Sequence, residues 1–261
     1  FEKRSTRTRC AFETAFGEEG GHTSFLSLSD IQLGGKETIE DTARVLGRMY
    51  DAIEFRGFKQ ATADALAAHS GIPVYNGLTD EYHPTQALAD LMTVEEAFGR
   101  LKGLRLAYVG DGRNNVATSL LIACAKMGVN IAIGAPPSLQ PAAERVDYAR
   151  AEAVRTGCVV EVTANASQAV RGADAVYTDV WVSMGEEAKE KERVELLGPY
   201  QVNDRLMAAT GSKSSIFLHC LPAVRGNEVT AGVLDGPQSR AFDEAENRLH
   251  TVTALMLATI R

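Results

Sequence analysis

The stretch Leu104-Arg105-Leu106-Ala107-Tyr108-Val109-Gly110-Asp111-Gly112-Arg113-Asn114-Asn115 decides the fold. Its first half is an apolar run that is typical of a buried strand, and its second half is a glycine-containing turn of polar side chains. A helical pattern follows near residues 115–127. A strand, a short turn and a helix in this order form the unit from which parallel α/β sheets are built.

The same pattern repeats towards the end of the chain. Further strands are predicted at residues 130–133, 159–163, 175–178 and 216–219, with helical stretches near 141–155 and 166–171. We therefore predict an α/β fold with doubly wound parallel sheets, in which ligands bind beyond the carboxyl ends of the strands. The turns at those ends hold residues 110–115, 179–185 and 219–222.

The first half of the chain shows a less regular alternation. Helices are predicted for residues 10–16, from residue 37 with apolar positions up to 53, and for 60–69; short strands are predicted for 23–28, 52–55 and 72–75. Pro84 opens a long helix to about Phe98, because proline suits a first helical turn. A last helix is predicted for residues 244–260.

These elements predict two doubly wound parallel-sheet domains joined by helices. Residues 1–83 form the first domain, 84–98 the connecting helix and 99–241 the second domain, and residues 242–261 return to the first domain.

Composition limits the classes of partner. With 34 acidic and 27 basic residues the net charge is -7, which argues against general nucleic-acid binding. No apolar run reaches the ~18 residues that a membrane span needs. Cys10, Cys124, Cys158 and Cys220 show neither a C-x-x-C pair nor the spacing of a zinc site. We expect reduced thiols, a cytoplasmic location and no bound metal.

The segment Ser5-Thr6-Arg7-Thr8-Arg9 precedes the first helical run. Serine and threonine favour the start of a helix, where unpaired backbone N–H groups and the helix dipole attract anions. Two guanidinium groups add bidentate hydrogen bonds, so the segment suits a phosphate. An ordinary capped helix with a solvated basic turn is the alternative.

The turn after the first quoted strand invites a dinucleotide-binding interpretation, since Gly110 and Gly112 would let a pyrophosphate approach. Asn115 stands where the third glycine belongs, and no acidic residue ends the next strand near Ile133. We therefore discount a nicotinamide cofactor. The amides of Asn114 and Asn115 could instead bind a zwitterionic amino acid, or could close the turn and cap the next helix.

Side chains at three further places in the sequence stand where a ligand would bind. His83 heads a helix with Gln86 three residues later, and a histidine at that positive end should stay neutral. Asp179 ends a strand and could orient an amine, or could cap a loop. His219-Cys220 ends another buried strand, although buried cysteine is often simple packing. No neighbouring triad would make Cys220 a covalent nucleophile.

Four motifs stand in the order and approximate spacing of the aspartate/ornithine carbamoyltransferase family, which the chain resembles along its whole length. They are Ser5 to Arg9, His83 to Gln86, Asp179 to Gly185 and His219-Cys220-Leu221-Pro222. The last two are similar to the ornithine branch. The resemblance implies transfer of the carbamoyl group from carbamoyl phosphate to the δ-amine of ornithine, giving citrulline and phosphate without a cofactor. It implies a part in arginine biosynthesis or breakdown.

The resemblance also implies a role for individual residues. The catalytic set would be Arg56, His83, Asp179 and Cys220. The carbamoyl phosphate pocket would hold Ser5, Thr6, Arg7, Thr8, Gln32, Arg56, His83, Gln86, Cys220, Leu221 and Arg248. The ornithine contacts would be Asn115, Asp179, Ser183 and Met184.

The family likeness implies a homotrimer, or a multiple of trimers, with Gln32 reaching a neighbour's phosphate pocket. Family members usually carry several tens of residues before the Phe1-Glu2-Lys3 segment, so we expect the first domain to be N-terminally truncated. Three alternatives stay open at this point. They are a carbamoyltransferase acting on another amine such as putrescine or an acylated ornithine, an inactive binding or regulatory paralogue, and a nicotinamide-dependent oxidoreductase.

Overall fold

The computed structural model describes residues 1–31, 36–182 and 189–260. The chain divides into two compact units, Phe1–Ala89 with Glu246–Arg261 and Asp90–Ala245, which we call unit 1 and unit 2. No helix in the described part of the chain has the length and apolar character of a membrane span.

Helices and strands alternate from the third helix to the sixth strand. The helices are α1 (Thr6–Glu18), α2 (Ile39–Leu46), α3 (Gln60–Ser70), α4 (Pro84–Phe98), α5 (Asn115–Met127), α6 (Ala143–Thr156), α7 (Ala166–Val170), α8 (Glu190–Leu197), α9 (Asp204–Ala208), α10 (Ala231–Leu234) and α11 (Ala241–Thr259). The strands are β1 (Ile53–Arg56), β2 (Val74–Leu78), β3 (Arg105–Val109), β4 (Asn130–Gly134), β5 (Val160–Thr163), β6 (Ala175–Tyr177) and β7 (Ile216–Leu218).

Unit 1 contains a parallel pair of strands. Ile53 of β1 faces Val74 of β2, and the register shifts between Phe55 and Arg56, so that Arg56 faces Leu78. Helices cover the pair through two small apolar clusters. One joins Phe12, Ala15, Tyr75, Val252 and Met256, and the other joins Ala43, Phe55, Ala63 and Leu66. The end of β1, which carries Arg56, is thereby fixed against the helices of the same unit.

Unit 2 contains a five-stranded parallel sheet in the order β5-β4-β3-β6-β7. The chain winds outward from β3 to β5 and then returns to β6 and β7 on the other side, so the winding reverses between β3 and β6. Apolar clusters cover both faces of the sheet. In such a sheet a crevice opens at the carboxyl ends of the strands beside the reversal. The turns after β3, β6 and β7 meet there.

The α/β class with parallel sheets is confirmed. Helices α4 and α5 have the predicted bounds, because each has a strong start signal in the sequence. Pro84 opens α4, and Asn114 caps α5 by accepting a hydrogen bond from the Val116 N–H at 2.6 Å. Gly128 ends α5 with a φ of 75°, a conformation that glycine adopts without steric cost.

Two predictions for the first half of the chain are wrong, and a third strand is displaced. Residues 23–28 do not form a strand, because the Ser27 N–H and hydroxyl bind the Asp30 carboxylate in a local turn instead of a ladder. The helix expected up to residue 53 ends at Leu46, and Met49 is 70% exposed. The apolar residues after Leu46 keep a helical spacing, but they lie in a turn and beyond it. Strand β2 begins at Val74, two residues later than predicted.

Candidate functional site

The first turn of α1 lies at the head of the candidate anion site. Ser5 caps the helix by accepting a hydrogen bond from the Thr8 N–H at 3.1 Å, as its residue type predicts. Arg7 is half-buried, whereas Arg9 is exposed and pairs with Glu13 at 2.8 Å. The two arginines of the motif therefore have different surroundings, and Arg7 is the better placed to hold an anion at the helix N-terminus.

Two buried guanidinium groups converge on the hydroxyl of Thr8. Nη1 of Arg56 and Nη2 of Arg248 each donate to Thr8 Oγ1 at 3.2 Å. Nη1 of Arg248 also donates to Oε1 of Gln86 at 2.5 Å. Arg56 is 7% and Arg248 2% exposed. Two buried cations beside the positive end of a helix create a strongly anion-attracting site.

His83 lies directly before α4 and is buried. Its pKa is well below the usual value because burial penalises the charged ring, and because Arg248, Arg56 and Arg7 repel a further positive charge. The neutral histidine expected from its place at a helix N-terminus is thus supported, with burial as the larger cause. A neutral ring can donate one hydrogen bond to a carbonyl oxygen.

Glu54 lies two residues before Arg56 in β1, and neither of its buried carboxylate oxygens has a hydrogen-bond partner among the described residues. Burial raises the pKa of this carboxyl to about 8, although Arg56 and Arg248 each lower it. The sequence reasoning missed this residue. An acidic side chain between the apolar Ile53 and Phe55 of a short strand was the available signal.

In unit 2 the carboxylate of Asp179 gathers hydrogen bonds from three directions at the carboxyl end of β6. The Asn114 amide donates to Oδ2 at 2.8 Å, and the Cys220 thiol donates to Oδ1 at 3.1 Å. The backbone N–H of Val180 donates to Oδ1 at 2.8 Å. Asp179 is 6% exposed. Asn114 caps α5, which was one of the two interpretations of its side chain, and its amide binds Asp179 in addition.

Cys220 remains a thiol at neutral pH. Burial, Asp179 and Glu244 raise its pKa well above the usual value, because each disfavours a thiolate. Burial raises the pKa of Glu244 well above its usual value, and the neighbouring Asp90 raises it further. Glu244 also accepts a hydrogen bond from the His219 N–H at 2.8 Å. The chemistry available at this turn is therefore hydrogen bonding and orientation.

Asp179, His219 and Cys220 place potential metal ligands within 4.8 Å of one another. Both nitrogens of His219 already have partners, since Nδ1 accepts the Leu221 N–H at 2.9 Å and Nε2 lies 3.3 Å from Glu228. A metal would require a thiolate and a free ring nitrogen. The donor set in this state does not fit a metal ion.

The predicted site residues fall into two groups. Unit 1 holds Ser5, Thr6, Arg7, Thr8, Arg56, His83, Gln86 and Arg248, and hydrogen bonds join Thr8, Arg56, Gln86 and Arg248. Unit 2 holds Asn115 at the start of α5, and Asp179, Cys220 and Leu221 shortly after β6 and β7. Gln32, Ser183 and Met184 lie outside the described residues.

Family models match nearly the whole chain. The carbamoyl phosphate binding domain of aspartate/ornithine carbamoyltransferases matches residues 1–96, and the aspartate/ornithine binding domain matches residues 102–259. The chain belongs to the aspartate/ornithine carbamoyltransferase family. The family predicted from the four motifs is confirmed.

Relatives within the family are close. The chain is 63% identical to an ornithine carbamoyltransferase of Caldanaerobacter subterraneus and 64% identical to one of Thermotoga maritima, covering 100% of this chain and 83% of each relative. A Streptococcus ratti relative named as a catabolic ornithine carbamoyltransferase is 54% identical, covering 100% of this chain and 82% of the relative. The structure is similar to that of the Pyrococcus furiosus ornithine carbamoyltransferase, with a TM-score of 0.95 at 45% identity over 99% of this chain and 82% of the other.

Two residues that hold the turns of unit 2 in place lie outside the motifs of this carbamoyltransferase family. Arg193 of α8 is buried, and its Nη1 pairs with Asp111 Oδ2 at 2.5 Å. Residues 189–192, which precede Arg193, are exposed. Glu228 is the second support. Neither residue lies in a recognisable motif, so only the folded structure reveals them.

Proposed function

We propose that this chain transfers the carbamoyl group of carbamoyl phosphate to the δ-amine of L-ornithine, giving L-citrulline and phosphate. The observation that carries the proposal is the convergence of Arg56 and Arg248 on Thr8 at the head of α1, beside a neutral histidine. This arrangement offers fixed positive charge for a phosphate and an uncharged donor for a carbonyl. The high identity to proteins named ornithine carbamoyltransferase supports the acceptor.

For carbamoyl phosphate we assign the phosphate group to Ser5, Thr6, Arg7 and Thr8, together with Gln32. Arg56 and His83 would donate to the carbonyl oxygen, and Gln86 would bind the carbamoyl nitrogen. Arg248 and the backbone at Cys220 and Leu221 would complete the pocket. Preorganised donors of this kind stabilise an oxyanion because they need no reorganisation as its charge develops.

For ornithine we assign Asp179 to the reacting amine and Asn115, Ser183 and Met184 to the amino-acid end. The hydrogen bonds from Asn114 and Cys220 hold the Asp179 carboxylate in place. A fixed carboxylate would orient the neutral amine and stabilise the positive charge that develops on its nitrogen during attack.

The reaction then proceeds by addition and elimination. The lone pair of the δ-nitrogen forms a bond to the carbonyl carbon, and the carbonyl oxygen becomes an oxyanion that Arg56 and His83 stabilise. As the carbonyl re-forms, the bond between carbon and the bridging oxygen breaks, and phosphate leaves with the electron pair. The attacking nitrogen loses one proton, which the departing phosphate takes up, and the products are citrulline and hydrogen phosphate.

We also propose a division of labour and an assembly. Residues 1–83 with 242–261 would bind carbamoyl phosphate, 84–98 would connect, and 99–241 would bind ornithine. The protein would work as a homotrimer or a multiple of trimers, in which Gln32 serves a neighbouring subunit. Cys10, Cys124, Cys158 and Cys220 are all free thiols, which supports the proposed cytoplasmic location.

A colorimetric citrulline assay with carbamoyl phosphate and a panel of amines tests the proposal. We expect citrulline and phosphate in equal amounts with ornithine. Product with putrescine or acetylornithine but not with ornithine would replace the proposed acceptor. Failure of every amine to release phosphate would favour an inactive binding protein and overturn the proposal.

A further inference from the structure

A buried carboxylate outside the sequence motifs supports the turn that follows β7. The side chains of His219 and Glu228 are 0% and 1% exposed, and His219 Nε2 lies 3.3 Å from Glu228 Oε1. The backbone N–H of Val224 donates to the same oxygen at 2.5 Å. A carboxylate at such depth is stable only where donors compensate for its lost hydration, so both contacts matter.

The hydrogen bonds of His219 define its tautomer. The backbone N–H of Leu221 lies 2.9 Å from Nδ1, and because a backbone N–H can only donate, Nδ1 accepts and carries no hydrogen. The neutral ring must then carry its hydrogen on Nε2, which faces Glu228. The imidazole therefore connects the carboxylate of Glu228 to the backbone of Leu221.

The backbone of Leu221 needs such a connection. Its φ is 57°, in the left-handed region that side chains with a Cβ rarely adopt. Residues in this conformation persist where their surroundings over-determine it, and they cluster at functional sites. The bond from the Leu221 N–H to His219 supplies one such restraint.

We propose that Glu228 is a positioning residue of the site, acting through the neutral His219 ring to hold the Leu221 backbone in its left-handed conformation. The inference rests on the proposed function, in which Leu221 contributes its backbone to the carbamoyl pocket. Removing the carboxylate takes the acceptor from Nε2. If the hydrogen moves to Nδ1, that nitrogen and the Leu221 N–H are two donors facing each other, and the restraint is lost.

The tautomer can be measured without reference to activity. Long-range ¹H–¹⁵N correlation spectra of the histidine-labelled full chain, with His219 assigned by its loss in His219→Asn, should show Nε2 protonated and Nδ1 unprotonated at pH 7. The variant Glu228→Leu should show a mixture of tautomers or protonation at Nδ1. A wild-type His219 protonated on Nδ1 would overturn the inference.

Kinetics test the positioning role. Glu228→Gln keeps an acceptor oxygen and should retain kcat within about threefold, whereas Glu228→Leu should lower kcat by about 10- to 100-fold, as displacement of a reacting group by ~1 Å does. The KM for ornithine should change far less than kcat. Glu161→Leu is the matched control, because Glu161 lies on edge strand β5 of the same sheet and binds Arg105 at 2.9 Å. It should leave kcat unchanged.

A double-mutant cycle completes the test, and the tautomer measurement on the wild type covers a Glu228→Leu variant that fails to fold. His219→Asn keeps an acceptor near the Nδ1 position, and adding Glu228→Leu to it should cause little further loss of kcat if the two residues act through one path. Additive losses, or wild-type kcat in folded Glu228→Leu, would refute the positioning role. Absence of citrulline formation in the wild type would refute the proposed function alone, since the tautomer measurement would still test the pair.

Discussion

The thiol of Cys220 donates a hydrogen bond to the carboxylate of Asp179 across 3.1 Å. The two residues follow β7 and β6, which are parallel neighbours, so the sheet itself sets their separation. Asp179 also contributes to the raised pKa of Cys220, after burial. The sulfur is therefore a donor that orients a carboxylate.

Replacing Cys220 should affect the use of ornithine most. Cys220→Ala removes a hydrogen bond to a charged group, worth about 1.5–3 kcal/mol, so kcat/KM for ornithine should fall about 10- to 100-fold. Cys220→Ser keeps a donor and should lose less. Steady-state kinetics with each substrate varied measures the effect, and the exposed Cys10 provides the control variant Cys10→Ala. Unchanged kinetics in Cys220→Ala would mean that the thiol only fills space.

Arg7 and Arg9 belong to the same motif but have different surroundings, so their alanine variants can be compared directly. Arg7→Ala should lower kcat by about 10²- to 10³-fold, since it removes a charged contact to the transition state. Arg9→Ala should have little effect, because the exposed Arg9 pairs with Glu13 and stacks on Phe25 at 3.7 Å. Citrulline formation at saturating substrates compares them. Near-normal turnover in Arg7→Ala would contradict the assignment of the phosphate to this turn.

Asn114 should contribute to ornithine binding through Asp179. Asn114→Ala removes a helix cap, at a cost of ~1 kcal/mol in stability, and also the 2.8 Å bond to Asp179. Asn203→Ala removes a comparable cap from α9 and serves as control. Both variants should lose similar stability in urea unfolding, and only Asn114→Ala should raise the KM for ornithine. A raised KM in both would show that lost stability alone explains the effect.

Glu54 should make stability depend on pH. Its pKa of about 8 in the folded chain exceeds the unfolded value of 4.5, so the folded state binds the extra proton. The contribution of Glu54 to the free energy of unfolding should therefore be fully present below pH 4.5 and should fall, by on the order of 4 kcal/mol, as the pH rises to about 8.

The Glu54→Gln variant should lack this decline, whereas Glu18→Gln, an exposed control at the end of α1, should keep it. Urea unfolding followed by circular dichroism at pH 5, 6.5 and 8 gives the comparison. Fluorescence of Trp181, the single tryptophan, reports unit 2 separately. If the free energy of unfolding depended on pH in the same way for wild type and Glu54→Gln, the Glu54 carboxyl would be ionised in the folded chain.

Elements that are determined by neighbouring residues in the sequence could be predicted, whereas elements that depend on distant parts of the chain could not. Helices α4 and α5 were predicted with their bounds because Pro84, Asn114 and Gly128 act on the adjacent backbone. Strand formation at residues 23–28 required a neighbouring strand, which no local pattern can supply, and the Ser27 turn formed instead. Helices α8, α9 and α10 were not predicted; α9 and α10 have only five and four residues, whereas the equally short α7 was predicted because it lies alone between two predicted strands.

The site shows the same contrast. Residues at strand ends and helix starts, such as His83 and Asp179, could be found because topology places chemistry there. Glu54, Arg193 and Glu228 could not, because their importance arises from burial beside groups distant in the chain. Sequence motifs thus identified side chains proposed to meet substrates, and the structure identified those that hold them in place.

The winding reversal between β3 and β6 places the polar turns at one rim of the five-stranded sheet, where the strands have their carboxyl ends. At the opposite rim, where the strands begin, the helices connect back to the sheet. At that rim the exposed Gly157 ends α6 before β5, with open space around it. A strand of this length separates the rims by roughly 10–15 Å. A fluorescent tag or an affinity peptide inserted at Gly157 would report on this unit while staying clear of its polar crevice, which makes the position a practical entry for labelling and immobilisation.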